Sequence, residues 1–130
     1  MIFILETMVN DRNIRDILPL MGFDYFDFII LADHSGWLAV LWNNGEIHAS
    51  VLRKEPRAIH MLVYETKKAQ NAIISGVYAP ARQNEKDLFW NHLVDWCEIV
   101  DVPWCVIGDM NELVNANEKR GGQIYANPKF

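Results

Sequence analysis

Between Trp37 and Tyr78 the sequence reads as strands joined by turns, and this stretch most narrows the folds open to the chain. Trp37-Leu38-Ala39-Val40-Leu41-Trp42 and the run from Ile47 to Leu52 flank Asn43-Asn44-Gly45-Glu46. Asn-Gly readily takes the positive φ angles of a tight reversal, so this segment predicts a β-hairpin. A second hairpin is predicted from Ile59 to Tyr64, a polar Lys67-Lys68-Ala69-Gln70-Asn71 connection, and Ala72 to Tyr78. Upstream, Ile2 to Leu5 suits a strand buried on both faces, with Glu6-Thr7 at its polar exit. Asp24 to Leu31 suits another strand, carrying Tyr25, Phe26, Phe28, Ile29 and Ile30.

Helical spacing occurs twice. Ile14, Ile17, Leu18 and Met21 recur at i, i+3, i+4 and i+7 behind a capping Asn10 or Asp11, and Pro19 should end or kink that helix near Leu18. Asn84 is expected to cap a second helix running to about Cys97, with Phe89, Leu93, Trp96, Cys97 and Val100 as its apolar stripe. Asp101-Val102-Pro103 breaks it. Trp104 to Ile107 then forms a short buried strand ending at Gly108-Asp109, and no clear element follows from Asn115 to Phe130. The order strand, helix, strand, two hairpins, helix, strand predicts an α/β chain of the α+β type with antiparallel pairs, not a Rossmann or barrel alternation.

With 130 residues, 51% of them hydrophobic, the chain can bury one core. Its formal charge of −5 argues against coating nucleic acid by bulk electrostatics, which needs an excess of Lys and Arg, but does not exclude an enzyme holding a metal ion and one phosphate. Cys97 and Cys105 lie in apolar stretches without metal-type spacing and are expected to be reduced core thiols. The apolar start is too short for a signal-peptide core, and no run approaches the ~20 residues of a membrane span. The expectation is a soluble, intracellular chain with no membrane partner.

Three places carry chemistry. In extended chain the side chains of Asp109 and Asn111 project to one face, with Met110 turned inward. A carboxylate there can orient or deprotonate a water, and an amide can bond a phosphate oxygen without adding charge. Both residues also favour a plain turn after a strand. Glu6, at the exit of the first strand, is a candidate ligand for a hard cation such as Mg²⁺, or simply a solvated strand end. Tyr78, in Ser75-Gly76-Val77-Tyr78-Ala79-Pro80, can offer its hydroxyl to a phosphate or serve in packing. His34, His48, His60 and His92 are scattered, which argues against zinc. The P-loop and hydrolase-elbow patterns are absent from the sequence. Arg53-Lys54 with Arg57, Lys67-Lys68 and Lys119-Arg120 read as solvated loop charges, with a DNA backbone as the other reading.

The order of these segments resembles the endonuclease/exonuclease/phosphatase superfamily. Leu5-Glu6-Thr7, Gly36-Trp37-Leu38-Ala39-Val40-Leu41-Trp42, Ser75-Gly76-Val77-Tyr78-Ala79-Pro80, Pro103-Trp104-Cys105-Val106-Ile107-Gly108-Asp109-Met110-Asn111-Glu112 and Glu118-Lys119-Arg120-Gly121-Gly122 are most similar to plant LINE-type (non-LTR) retrotransposon endonucleases. The resemblance implies a four-layer sandwich of mixed and antiparallel sheets with outer helices, of which residues 1–130 form a single incomplete domain. It also implies DNA nicking by a Mg²⁺- or Mn²⁺-dependent enzyme in which Glu6 ligates the metal, Tyr78 contacts the scissile phosphate, Asp109 positions the water and Asn111 holds the phosphate. The implied setting is the nucleus, with a reverse transcriptase domain downstream in the parent protein. Relatives carry a metal-site Asn upstream of the Glu and a Ser-Asp-His type motif near the end, and neither has a counterpart in this sequence. Where they commonly have Lys after Glu-Thr, this chain has Met8.

Overall fold

A computed structural model describes residues 1–5, 11–32 and 36–112, the first two residues of the second stretch by their backbone only. Seven strands form two sheets. The first, in the order β1-β3-β2, contains β1 (Ile2–Ile4), β2 (Tyr25–Ile30) and β3 (Trp37–Trp42), and both pairings are antiparallel. The second runs β4-β5-β6-β7, with β4 (Ile47–Glu55), β5 (Ala58–Glu65), β6 (Gln70–Tyr78) and β7 (Trp104–Asp109). Its pairs are antiparallel except β6 with β7, which lie parallel and are joined by helix α2 (Gln83–Ile99). A parallel neighbour needs such a crossover because a tight turn can only reverse the chain.

Packing arranges these elements in four layers. Side chains alternate between the faces of a strand, so the all-apolar β3 serves two cores at once. Trp37, Ala39 and Leu41 pack against Ile14 and Leu18 on the outer side of the first sheet. Leu38, Val40 and Trp42 meet Ile59 and Met61 of β5 between the sheets. On the outer side of the second sheet, Ala58, Val77 and Ala79 receive Phe89 and Leu93 from α2, with Trp104 and Val106 beside them. The sequence of layers is helix, sheet, sheet, helix, as the resemblance implies. The sheets approach closely at Gly76, where a Cβ would come within 2.1 Å of the Phe3 ring.

Local chemistry accounts for the helix ends. Helix α1 covers Asp11–Ile17, and Asn10 lies outside the described residues. Pro19 then imposes a 3₁₀ turn over Leu18–Met21, closed by Gly22 at φ 79°. Ile14 and Leu18 are fully buried, whereas Ile17 and Met21 fall on the outer half of the stripe and are exposed. Helix α2 begins earlier than Asn84: its N-cap is Arg82, in extended conformation without a side-chain cap bond.

Three further expectations are corrected. β3 and β4 form no hairpin despite the Asn-Gly between them. Both hydrogen-bonding edges of β3 are taken, by β1 and β2, so the chain must leave for the other sheet. The asparagines serve that crossing instead: Asn43 Oδ1 accepts the Asp24 amide at 2.7 Å and Asn44 Oδ1 accepts the Ala49 amide at 2.8 Å. The partner of β4 is β5, through a two-residue turn at Pro56-Arg57. β1 is an edge strand with Ile2 exposed, so it is not buried on both faces. Cys97 and Cys105 are both free, but exposed. Cys97 lies outside the buried stripe of α2, and Cys105 lies on the face of β7 opposite Trp104 and Val106.

Candidate active site at the ends of β6 and β7

Because β6 and β7 run parallel, they release their final residues at the same end of the sheet. Tyr78 and Asp109 are register partners there. The Ala79 amide continues the ladder by donating to the Asp109 carbonyl at 2.8 Å. Glycine is required just before the carboxylate. Gly108 has φ 147°, and a Cβ on it would stand 1.9 Å from the Val77 carbonyl oxygen of the neighbouring strand.

Asp109 ends β7, but the chain does not stay extended through Asn111. The Asn111 amide donates to Asp109 Oδ1 at 2.8 Å, and Asn111 takes φ 47°, so the tract is a tight Asx-type turn with a left-handed asparagine. Asn111 Nδ2 donates to the Ala79 carbonyl at 2.6 Å, which ties the turn to the exit of β6. Met110 packs inward against the core under α2. Tyr78 is 5% exposed; its amide bonds the Arg57 carbonyl, and its own carbonyl accepts from Arg57 Nη1 at 3.4 Å. From the first turn of α2, Lys86 extends its ammonium to the Asn111 carbonyl at 2.5 Å and to Glu112 Oε1 at 3.0 Å. The structure therefore brings Tyr78, Asp109 and Asn111 to one exit. Glu6 lies outside the described residues.

A hard divalent ion prefers several oxygen donors. Asp109 supplies one carboxylate at this exit, and no group of three or more His, Cys, Asp or Glu among the described residues can hold a metal. The described part of the site thus does not by itself complete a metal site.

A second polar cluster went unread in the sequence because its members come from four separate elements. On the outer face of the second sheet, Glu55 Oε1 accepts from Trp96 Nε1 and from Arg53 Nε, both at 3.1 Å, and Oε2 meets His60 Nε2 at 3.3 Å and His92 Nε2 at 2.5 Å. His60 Nδ1 lies 2.6 Å from Ser75 Oγ, and its ring stacks on Trp96. A bulge between Val51 and Arg53 creates the arrangement. Ala49 and Val51 face the other sheet, and the extra residue, Leu52, turns Arg53 and Glu55 to the opposite face, under α2.

Ser75, His60 and Glu55 have the connectivity of a nucleophile triad but not the access. Ser75 and His60 are fully buried, and Ser75 Oγ accepts from Trp104 Nε1 at 2.8 Å. The ionised Glu55 carboxylate can only accept, so His60 Nε2 carries the ring proton and Nδ1 accepts from the Ser75 hydroxyl. Burial holds His60 below its ordinary value, despite the pull of Glu55. Burial raises Glu55, but hydrogen bonds from Trp96 and His60 outweigh it and bring the carboxyl below its usual range. The cleft of about 740 Å³ beside α2 is bordered by Glu55 and His92 but reaches neither Ser75 nor His60. The buried Ser75, His60 and Glu55 join strands β4, β5 and β6 to α2.

The two facing sheets with outer helices form a mixed α+β sandwich. Among solved structures, the human Nocturnin catalytic domain with bound sulfate anion is similar at a TM-score of 0.52 and 12% identity over 85% of this chain. The match takes in 51% of that chain, so the present chain spans about half of it. At that identity the likeness is one of fold. No protein-family model and no curated protein matches the sequence.

Proposed function

We propose that this chain is part of a divalent-metal-dependent phosphodiesterase domain that nicks DNA during retrotransposon insertion. The observation that carries the reading is the convergence of Tyr78, Asp109 and Asn111 at the paired ends of β6 and β7. Support comes from the fold shared with the Nocturnin catalytic domain, whose structure binds sulfate, an anion shaped like phosphate. The retrotransposon branch rests on the sequence resemblance, as do nuclear location and a reverse transcriptase domain in the parent protein.

In this reading Asp109 accepts a proton from the attacking water, whose oxygen bonds to phosphorus while the bond to the leaving ester oxygen breaks and that oxygen takes a proton from solvent. Asn111, pinned through both its amide and its side chain, holds a phosphate oxygen as charge develops on it. Tyr78 contacts the scissile phosphate, and Glu6 is the expected metal ligand. A bound Mg²⁺ or Mn²⁺ would supply Lewis-acid polarisation of the phosphate.

The test is conversion of supercoiled plasmid to the open circle with and without Mg²⁺. Asp109→Ala is expected to lower the rate by about 10³-fold or more while the melt persists. Nicking that survives Asp109→Ala ends the proposal. A catalytically inactive remnant is the second reading, favoured by the lack, among the described residues, of any group of three or more His, Cys, Asp or Glu able to hold a metal. It forecasts no Mg²⁺-dependent turnover at all. Release of phosphate from nucleotides or inositol phosphates, without nicking, would instead indicate a phosphatase or exonuclease branch.

A further inference from the structure

We infer that Lys86 is a positioning residue for the Asp109–Asn111 turn, coupling the first turn of α2 to the candidate site. The inference rests on the phosphodiesterase reading for its consequence in catalysis, but its structural content stands on contacts in this chain.

Lys86 is the one lysine among the buried polar and charged residues described, at 6% exposure. An ammonium is removed from water only when its hydrogen-bonding capacity is met, because burying an unpaired charge is costly. Lys86 meets it at a single place, with the Asn111 carbonyl at 2.5 Å and Glu112 Oε1 at 3.0 Å. Asn111 holds a left-handed conformation, which asparagine reaches more readily than most residues when local hydrogen bonds support it. Three bonds enforce it from three directions: its amide to Asp109, its side chain to Ala79, and its carbonyl from Lys86. Only the last comes from another layer. It is charge-assisted, as is the bond from the Asn111 amide to the Asp109 carboxylate. Glu112 offsets the charge and keeps the ammonium on the turn.

The turn cannot relax without swinging the Asp109 carboxylate, since Asp109 Oδ1 is the acceptor for the Asn111 amide. Losing Lys86 therefore disorders the two groups assigned to water and phosphate while leaving the Phe89 and Leu93 contacts of α2 in place.

The test uses the full chain with Lys86→Met, which keeps length and removes the charge, and Lys86→Arg, which restores it. The direct readout is amide hydrogen exchange. In Lys86→Met the Asn111 and Ala79 amides should exchange about 10-fold faster or more, with amides of β5 and β6 unchanged, and Lys86→Arg should recover most of the protection. Equal protection of Asn111 in Lys86→Met and the parent overturns the proposal. Should Lys86→Met not fold, Glu112→Gln, which removes the compensating charge at the surface, carries the test: faster exchange confined to the turn supports it, and no change overturns it. Where the parent nicks DNA, Lys86→Met should lose about 10-fold or more in kcat with little change in KM. A parent that nicks nothing counts against the phosphodiesterase reading alone, and the exchange result decides the role of Lys86.

Discussion

Gly108 shows how narrowly one residue can be specified. Its φ of 147° and the 1.9 Å approach of any Cβ to the Val77 carbonyl both exclude side chains. Gly108→Ala should therefore lower stability by about 2–4 kcal/mol, a large single-site loss read from denaturant melts. An alanine variant as stable as the parent would show that the strand does not approach so closely. His60 and Glu55 make a second forecast, in pH. Folded His60 resists protonation, whereas in the unfolded chain it takes up a proton below ~6.5, so stability falls as pH drops through that value. Folded Glu55 stays ionised below its ordinary value, so the unfolded chain again binds the extra proton, and a further loss begins near ~4.3. Thermal melts should fall already between pH 7.5 and 5.5, before ordinary carboxylates titrate. A flat midpoint over that interval contradicts the assignment of neutral His60.

Among the elements, legibility in the sequence follows the range of the forces that set them. The 3₁₀ turn at Pro19, the stripe of Phe89, Leu93 and Trp96, and the strand before Gly108-Asp109 are written in neighbouring residues, and all are present. The missing β3–β4 hairpin is not local: Asn-Gly permits a reversal, but the prior pairing of β3 on both edges forbids it. The Glu55 cluster was hidden for a related reason. Nothing in Val51-Leu52-Arg53 announces a bulge, and without it the alternation assigns Glu55 to the wrong face. At the candidate site Asp109 and Asn111 were legible as a pair, but their turn geometry and the restraint from Lys86, a helix away in sequence, were not. Deleting Leu52 tests the bulge. Val51 and Arg53 already pair with the consecutive residues Met61 and His60, so the deletion should straighten β4 while keeping Arg53 and Glu55 on the outer face, and a cooperative melt should survive. A deletion variant that loses its cooperative melt would refute this account.

As a whole, the molecule pairs a three-stranded sheet with a four-stranded one, and each sheet ends in strands bonded on one side among the described residues. Ile2 on β1, Ile30 on β2, Ile47 on β4 and Ile107 on β7 are exposed beside those edges. Open edges with apolar flanks pair with other chains. The chain alone is expected to self-associate with rising concentration, measured by light scattering after size exclusion. A strictly monomeric peak with a sharp melt at high concentration would contradict this. The parallel union of β6 and β7 has a consequence of another kind, in time. Hairpins close within their own few residues, but β7 can join the sheet only after the intervening helix has been made and has docked. On a growing chain, β4, β5 and β6 can assemble while Asp109 and Asn111 have yet to be synthesised. The candidate site is thus the last part of the described fold to come into existence and, in the reverse direction, the first that a premature stop would remove.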